Sequence, residues 1–197
     1  MAGKKKEIFA LDEKEKKECA LLAKKAIKHA LMSDSKLSLS NEEASMLAKK
    51  LCEKKACFVT LMEGKNLRGC IGHLNAIQPL YKDIMENAVA AALNDPRFEP
   101  LSPKEFSKVS VEVSILTNPV DLEFTDAKDL LGKIVAGEDG LIISKGYCTA
   151  TFLPSVWEEL PKKEVFLSHL CVKAGLGEDE WKKPGIKVQK YKAIKAE

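Results

Sequence analysis

The chain has 197 residues, of which 45% are hydrophobic and 31% charged, and its formal net charge at pH 7 is +3. A chain of this length and composition can bury a sizeable core, and it is typical of a globular protein with one domain or one domain of two lobes. The net charge is small, aromatic residues make up 6% of the chain, and arginine occurs only at positions 68 and 97. These features argue against a nucleic-acid-binding protein.

No apolar run approaches the roughly 18 residues of a membrane span, and residues 1–7 lack the apolar segment of a signal peptide. We therefore expect no membrane contact and a cytoplasmic location. The six cysteines include no Cys-x-x-Cys pair, which suggests reduced thiols. Cys70 and His73 have Cys-x-x-His spacing without a second ligand pair nearby, so we predict no metal and no other cofactor.

Two amphipathic helices are predicted in the first quarter of the chain, over residues 12–32 and 41–54. Each opens with the pattern of a capping box, in which Asp or Ser is followed three residues later by Glu. Apolar residues at helical spacing then continue each segment. The second helix would lead the chain directly into the next element.

A β-hairpin is predicted over residues 57–74, with a glycine in its turn. Side chains alternate along an extended strand, so Arg68 and Cys70 would lie on one face of the second strand and His73 on the other. A guanidinium close to a thiol favours the thiolate, which is the form that acts as a nucleophile. Cys70 is therefore a candidate nucleophile, and Arg68 is the cation that would activate it.

Gly69 and Gly72 interrupt this second strand. Glycine tolerates positive φ, and within strands it marks bulges and places where a ligand or another backbone comes close. A bulge would be needed to bring His73 to the face that carries Cys70. The alternative is that Cys70 is a small hydrophobic residue of the core, which is the usual role of a buried cysteine.

A helix with many alanines is predicted over residues 79–93, and small side chains allow such a helix to approach a sheet closely. An Asp-Pro pair ends it, because the residue before a proline avoids the α region. This arrangement holds Arg97 on a rigid loop. An alternating strand over 109–115 should then lie beside the hairpin, which gives a β-β-α-β unit.

Arg68 and Arg97 stand out because every other basic residue apart from histidine is a lysine. A guanidinium can grip a carboxylate or phosphate with two parallel hydrogen bonds, whereas an ammonium group acts as a point charge. Both arginines are thus candidates for binding a small anion. Structural roles remain open for both, and for Arg97 the plain alternative is an ion pair with Asp95.

The remainder of the chain predicts a second sheet with helices. Its elements are a short strand over 120–124, a short helix over 126–131, a hairpin over 141–153, a helix over 164–174 with a glycine cap, and a lysine-rich edge strand over 186–191. In the hairpin, Thr149 and Thr151 share one strand face. Their hydroxyls could line a polar cleft or simply face water.

Several of these segments resemble motifs of the AMMECR-type domain family. They are, in chain order, Phe58-Val59-Thr60-Leu61, Leu67-Arg68-Gly69-Cys70-Ile71-Gly72, Asp95-Pro96-Arg97-Phe98 and Thr149-Ala150-Thr151-Phe152-Leu153-Pro154. The resemblance implies one α+β domain over residues 6–197, with two unequal lobes, antiparallel sheets, helices packed on them and a cleft between the lobes. We expect the smaller lobe at about residues 63–108, inserted in the larger one.

The resemblance implies no known reaction. Microbial members of the family are associated with Memo-like and radical-SAM proteins, so these are the partners that it suggests. The family pattern usually has a small polar residue at the position of His73. This difference counts against His73 as an obligatory catalytic base.

The predicted site combines two groups of candidates. Cys70 and Arg68 are the candidates for catalysis, and Gly69, Gly72, His73, Arg97, Thr149 and Thr151 are the candidates for ligand binding. One hypothesis is a cysteine-dependent enzyme that acts on a small anionic substrate, although such an enzyme usually needs a base beside its thiol. The alternative is a non-catalytic protein-binding or adaptor module, and the motifs do not decide whether the protein is an enzyme.

Overall fold

The computed structural model describes residues 9–33, 35 and 37–197, so the expected domain start at residue 6 lies outside the described residues. Its helices are α1 (Glu13–Met32), α2 (Asn41–Ser45), α3 (Leu80–Leu93), α4 (Pro103–Phe106), α5 (Ala127–Lys133) and α6 (Lys163–Lys173). Its strands are β1 (Cys57–Glu63), β2 (Asn66–Gly72), β3 (Val109–Leu116), β4 (Val120–Asp121), β5 (Gly140–Lys145), β6 (Cys148–Phe152), β7 (Lys187–Tyr191) and β8 (Ala193–Ala196). Together they make the predicted α+β fold.

The chain divides into two compact units. The first ends at Thr117 and also contains Ile194–Glu197, and the second is Asn118–Ala193. These boundaries differ from the smaller lobe that we expected at 63–108. The reason is that β2 and α3, which lie in that range, share one sheet and one core with β1 and α1.

The first unit contains a four-stranded sheet in the order β2-β1-β3-β8. Strand β1 pairs antiparallel with both β2 and β3, as the predicted β-β-α-β unit requires. Alternate residues of β1 are fully buried, and α1 and α3 supply the other side of the core. Its fully buried residues include Cys19, Ala23, Ala26 and Ile27 of α1, Val59 and Leu61 of β1, Ile84 and Ala88 of α3, and Val113 and Ile115 of β3.

Helix α1 confirms the first predicted helix and its capping box. The second predicted helix, over 41–54, is wrong in length. Its capping box is present, but α2 ends after five residues and the chain continues through a 3-10 turn at Lys49–Cys52. The short α2 buries no residue, whereas Leu51 in the 3-10 turn is fully buried, so the tertiary core selects the turn over a longer helix.

The second unit contains a sheet in the order β4-β7-β5-β6, with α5 and α6 contributing to its core. Strand β7 pairs with β4 on one side and β5 on the other, so the prediction of an edge strand over 186–191 is wrong. A lysine-rich strand is tolerated inside this sheet because its amines reach polar groups. Lys190 Nζ, for example, donates to the carbonyl oxygen of Lys133 at 3.0 Å.

The glycine cap predicted after the helix over 164–174 is confirmed. Gly175 has φ +77°, which favours glycine, and the N–H groups of Gly175 and Leu176 donate to the carbonyls of Val172 and Cys171. This is the hydrogen-bond pattern of a Schellman motif. Among the described residues, no helix has both the length and the apolar character that crossing a membrane requires.

Candidate functional site

Strand β2 is an edge strand, and a β-bulge interrupts its pairing with β1. Leu61 pairs with Gly69 while the next residue, Met62, pairs with Leu67, which leaves Arg68 as the extra residue. A bulge displaces its extra side chain from the regular alternation and bends the strand. The bulge that the glycines suggested is therefore present, and it affects Arg68.

Cys70 lies on the face of the sheet opposite the helical core. It pairs with Thr60, whereas the next residue, Ile71, pairs with the fully buried Val59. Directly opposed residues of an antiparallel pair share a face, so Ile71 faces the core and Cys70 faces away from it. The Thr60 hydroxyl donates to Cys70 Sγ at 3.3 Å, and the thiol is partly exposed.

An ion pair between Asp95 and Arg97 is hydrogen-bonded to the backbone of Cys70, on the side of β2 that does not pair with β1. Asp95 Oδ2 accepts a hydrogen bond from the Cys70 N–H at 2.8 Å, and Arg97 Nη2 donates to the Cys70 carbonyl at 3.2 Å. Arg97 also donates to Asp95 through Nε at 3.0 Å and through Nη2 at 2.8 Å. We call this arrangement the Asp95–Arg97 clamp. It joins two segments that the sequence showed as separate motifs.

The clamp keeps Asp95 ionised. The hydrogen bonds from Arg97, and after them those from the backbone N–H groups of Cys70 and Arg97, hold the pKa of the nearly buried carboxyl group well below its ordinary value. The ion pair with Asp95 that was the plain alternative for Arg97 is thus present. The Arg97 side chain nevertheless remains 54% exposed.

The hydrogen-bond partners of Arg68 lie in α4 and in the segment that leads into it. Its Nε and Nη2 donate to Glu105 Oε1 at 3.3 and 3.2 Å, and Nη2 also donates to the Glu99 carbonyl at 2.9 Å. Its side chain is only 12% exposed. Hydrogen bonds from Ser102, followed by those from Arg68, lower the pKa of Glu105 to about 2. Arg68 therefore fastens the bulge of β2 to the start of α4.

Arg68→Lys is expected to lower the stability of the protein without changing the reactivity of Cys70. Lysine has a single nitrogen and cannot reproduce the bonds to both Glu105 and Glu99, which should cost about 1 to 2 kcal/mol in the free energy of unfolding. Urea denaturation measures the loss, and alkylation of Cys70 in the folded protein provides the second readout. A marked slowing of alkylation at unchanged stability would place Arg68 at the thiol after all.

Gly69 and Gly72 allow protein groups, rather than a ligand, to come close. A Cβ atom on Gly69 would lie 2.1 Å from the carbonyl oxygen of Ala91 in α3. A Cβ atom on Gly72 would lie 2.5 Å from the carbonyl oxygen of Cys57 and 2.3 Å from the Phe58 ring. The close approach that glycine signals is here packing of β2 on α3 and on β1.

His73 lies on the helical side of the sheet, away from Cys70. Its Nδ1 is 2.8 Å from Asp83 Oδ1, and Asp83 and Asn87 are buried polar residues of α3 that sequence reasoning missed. Their signal was present in the sequence as two polar residues one helical turn apart beside the apolar stripe of α3. The bulge at Arg68 does not bring His73 to the thiol.

Thr149 and Thr151 belong to the second unit, and their hydroxyls bond within its sheet. Thr149 Oγ1 donates to the Ile143 carbonyl at 3.2 Å, and Thr151 Oγ1 donates to the Leu141 carbonyl at 2.8 Å. Thr151 Oγ1 also lies 2.9 Å from the Tyr191 hydroxyl. Both side chains thus have partners on neighbouring strands.

The cysteines differ in exposure. Cys19, Cys57 and Cys171 are buried, and burial raises their thiol pKa values, that of Cys19 to about 12. Cys52 is exposed, and Cys70 and Cys148 are partly exposed. Within the described part of the chain, no three His, Cys, Asp or Glu side chains are grouped so that they could hold a metal ion.

Comparison with known proteins identifies the family. Residues 20–196 match the AMMECR1 family model, so the chain belongs to the AMMECR1 family, as the motifs indicated. Protein MK0488 of Methanopyrus kandleri is 39% identical over 180 residues, covering 87% of this chain and 83% of that protein. Protein MJ0810 of Methanocaldococcus jannaschii is 44% identical over 144 residues, which is 72% of each protein.

A solved structure shares the fold. The crystal structure of uncharacterized protein PH0010 from Pyrococcus horikoshii matches with a TM-score of 0.84 at 34% sequence identity. The match covers 95% of this chain and 93% of that chain. The α+β fold predicted from the sequence is therefore confirmed.

Proposed function

We propose that the protein is a cysteine-dependent enzyme that acts on a small anionic substrate, with Cys70 as its nucleophile. One observation carries this proposal, namely that both of the strongest motifs converge on Cys70. The Asp95–Arg97 clamp fixes its backbone on both the N–H and the carbonyl side, and Thr60 donates to its sulfur. A partly exposed thiol held this firmly is preorganised for chemistry.

Arg97 is the group that would bind the anion. The clamp uses its Nε and Nη2, and among the described residues Nη1 has no hydrogen-bond partner. Because the side chain is about half exposed, Nη1 can donate to a carboxylate or phosphate brought to the outer face of β2. Arg68, whose Nε and Nη2 donate to Glu105 and whose Nη2 also donates to the Glu99 carbonyl, is not assigned this role.

The chemistry would begin with the thiolate of Cys70. The Thr60 hydroxyl donates a hydrogen bond to this sulfur, and the Arg97 guanidinium donates to the backbone carbonyl of the same residue. The sulfur attacks an electrophilic carbon of the substrate and forms an S–C bond. The leaving group departs with its bonding electron pair and takes a proton from water.

A non-catalytic binding module remains a second candidate, and a specific observation favours it. In the described residues, no imidazole or carboxylate is hydrogen-bonded to Cys70 Sγ, whereas covalent cysteine enzymes normally have such a base. The same surface could then hold an anionic segment of a partner protein through Arg97. The two candidates differ in whether Cys70 forms a covalent bond.

The first test compares alkylation of Cys70 with that of Cys148, which is also partly exposed. We expect Cys70 to be the faster of the two, and we expect the ratio of iodoacetate to iodoacetamide rates to be several-fold higher at Cys70 because Arg97 attracts the anionic reagent. Peptide mass spectrometry of the Cys52→Ser variant resolves both sites. Equal rate ratios at the two cysteines would contradict an anion-binding thiol.

A second measurement separates the enzyme from the binding module. Acetyl phosphate is a small anionic acyl donor, and an enzyme of the proposed kind should form a thioester at Cys70 and hydrolyse the reagent faster than the Cys70→Ser variant does. Thr60→Val should slow thioester formation. A binding module would show neither the thioester nor the difference in hydrolysis.

A further inference from the structure

His73 and Asp83 form a carboxylate–imidazole pair on the helical side of the first sheet. His73 Nδ1 lies 2.8 Å from Asp83 Oδ1, and the Asp83 side chain is only 1% exposed. Three further donors fix this carboxylate: the Cys57 N–H at 2.9 Å, Asn87 Nδ2 at 3.0 Å and Gln78 Nε2 at 3.1 Å. The carboxylate is therefore held rigidly against the imidazole.

This geometry determines which nitrogen of His73 is basic. A carboxylate can only accept, so the proton of the neutral ring must lie on Nδ1 and the lone pair on Nε2. Asn87 Nδ2, at 3.3 Å from Nδ1, donates instead to Asp83 and to the Cys57 carbonyl. Among the described residues Nε2 has no hydrogen-bond partner, and the His73 side chain is 44% exposed.

The imidazole lines a groove of about 780 Å³ between α3 and the segment that precedes α2. Apolar walls come from residues such as Ile71, Met85 and Val89. Because Ile71 and Cys70 lie on opposite faces of β2, this groove is separate from the thiol site. A reaction in this groove would not involve Cys70.

Among the described residues, the other titratable groups that line the groove are Tyr81, Lys82 and Glu86, all on α3. Helix α1 and the segment before α2 also line the groove, and none of their described lining residues is titratable. Lys82 is the single cation among these lining residues, Glu86 is close to it in sequence, and no arginine takes part. Glu86 balances the charge of Lys82, so the described lining residues offer a phosphate ester no net positive charge. An uncharged molecule can instead place its apolar part against Ile71, Met85 and Val89.

We propose that this groove is a second active site, in which His73 acts as a general base in the hydrolysis of an uncharged ester with an apolar acyl group. Nε2 takes a proton from a water molecule, whose oxygen forms a bond to the ester carbonyl carbon. The bond from that carbon to the alcohol oxygen breaks, and the alcohol receives the proton from the imidazolium. His73 is the catalytic residue, and Asp83 is a positioning residue that sets the tautomer.

The activity test uses p-nitrophenyl butyrate as the probe, with Cys70→Ser as the background so that acylation of Cys70 contributes nothing. The thiols of Cys52 and Cys148 are the same in every variant compared. His73→Gln should lower the hydrolysis rate by about tenfold or more, because general-base catalysis typically contributes at least that much. His169→Gln is the matched control, since His169 is an exposed histidine of α6. Equal rates in the His73→Gln and control variants would overturn the proposal.

A spectroscopic test needs no substitution. The chain has three histidines, so the ¹⁵N resonances of each imidazole can be resolved, and their shifts distinguish the two neutral tautomers. We expect His73 to carry its proton on Nδ1 above its titration, and Asp83→Asn to shift that equilibrium while leaving His29 and His169 unchanged. A protonated Nε2 in the folded wild-type protein would overturn the assignment of the base even if Asp83→Asn fails to fold.

Discussion

Gly69→Ala is expected to destabilise the first unit by about 3 kcal/mol, the upper end of the usual range for overpacking. The new Cβ would lie 2.1 Å from the carbonyl oxygen of Ala91, a backbone atom that cannot rotate away. To relieve the contact, β2 must move away from α3, which also disturbs the bulge at Arg68. Urea denaturation followed by far-UV circular dichroism measures the change.

Gly132→Ala is the matched control for this substitution. Gly132 lies in α5, and a Cβ there would meet no atom within 4 Å. Alanine favours the helix over glycine, so the control should stabilise the protein by up to about 1 kcal/mol. If both variants were as stable as the wild type, the close packing of β2 on α3 would be refuted.

Asp95→Asn is expected to lower the free energy of unfolding by about 2 to 3 kcal/mol. The substitution keeps the shape of the side chain but removes the negative charge that holds Arg97 and strengthens the hydrogen bond from the Cys70 N–H. The loss should depend on pH. The pKa of Asp95 is lowered in the folded protein, so its ionised form stabilises the fold above the unfolded-state pKa of about 3.9. That contribution is lost progressively as the pH falls below this value towards the lower folded-state pKa.

The wild type should therefore lose stability more steeply than Asp95→Asn as the pH is lowered through 4, and the two should converge in strong acid. Asp179→Asn is the control, because Asp179 is an exposed residue whose pair with Lys182 lies on the surface. A difference between Asp95→Asn and the wild type that stayed constant from pH 7 to pH 2 would contradict the ionic role of the clamp.

Local patterns predicted much of the fold. The capping box of α1, the hairpin of β1 and β2, and the alternating strand β3 follow from residues close together in the chain, and all three are observed. The shortened α2 and the interior position of β7 could not be predicted in this way. They depend on Leu51 reaching the core and on β4 pairing beside β7, which are long-range contacts.

The candidate site was predicted less well than the fold, for a related reason. Strand alternation predicted that Arg68 and Cys70 would be neighbours, but the bulge shifts Arg68 by one position. The cation at the backbone of Cys70 is Arg97, which lies on a loop that meets β2 only after the chain has formed α3. Spacing along one strand cannot reveal a partner that tertiary structure supplies.

The position of β8 bears on the order in which the chain can fold during synthesis. This strand completes the first sheet beside β3 and places Ala196 in the first core, although residues 118–192 of the second unit lie between the two strands in sequence. A ribosome therefore releases the whole second unit before the outermost strand of the first sheet exists. Until then the side of β3 that will pair with β8 presents unpaired backbone groups. The first unit, which is synthesised earlier, is therefore the part of the nascent chain most prone to pair with a strand of another molecule.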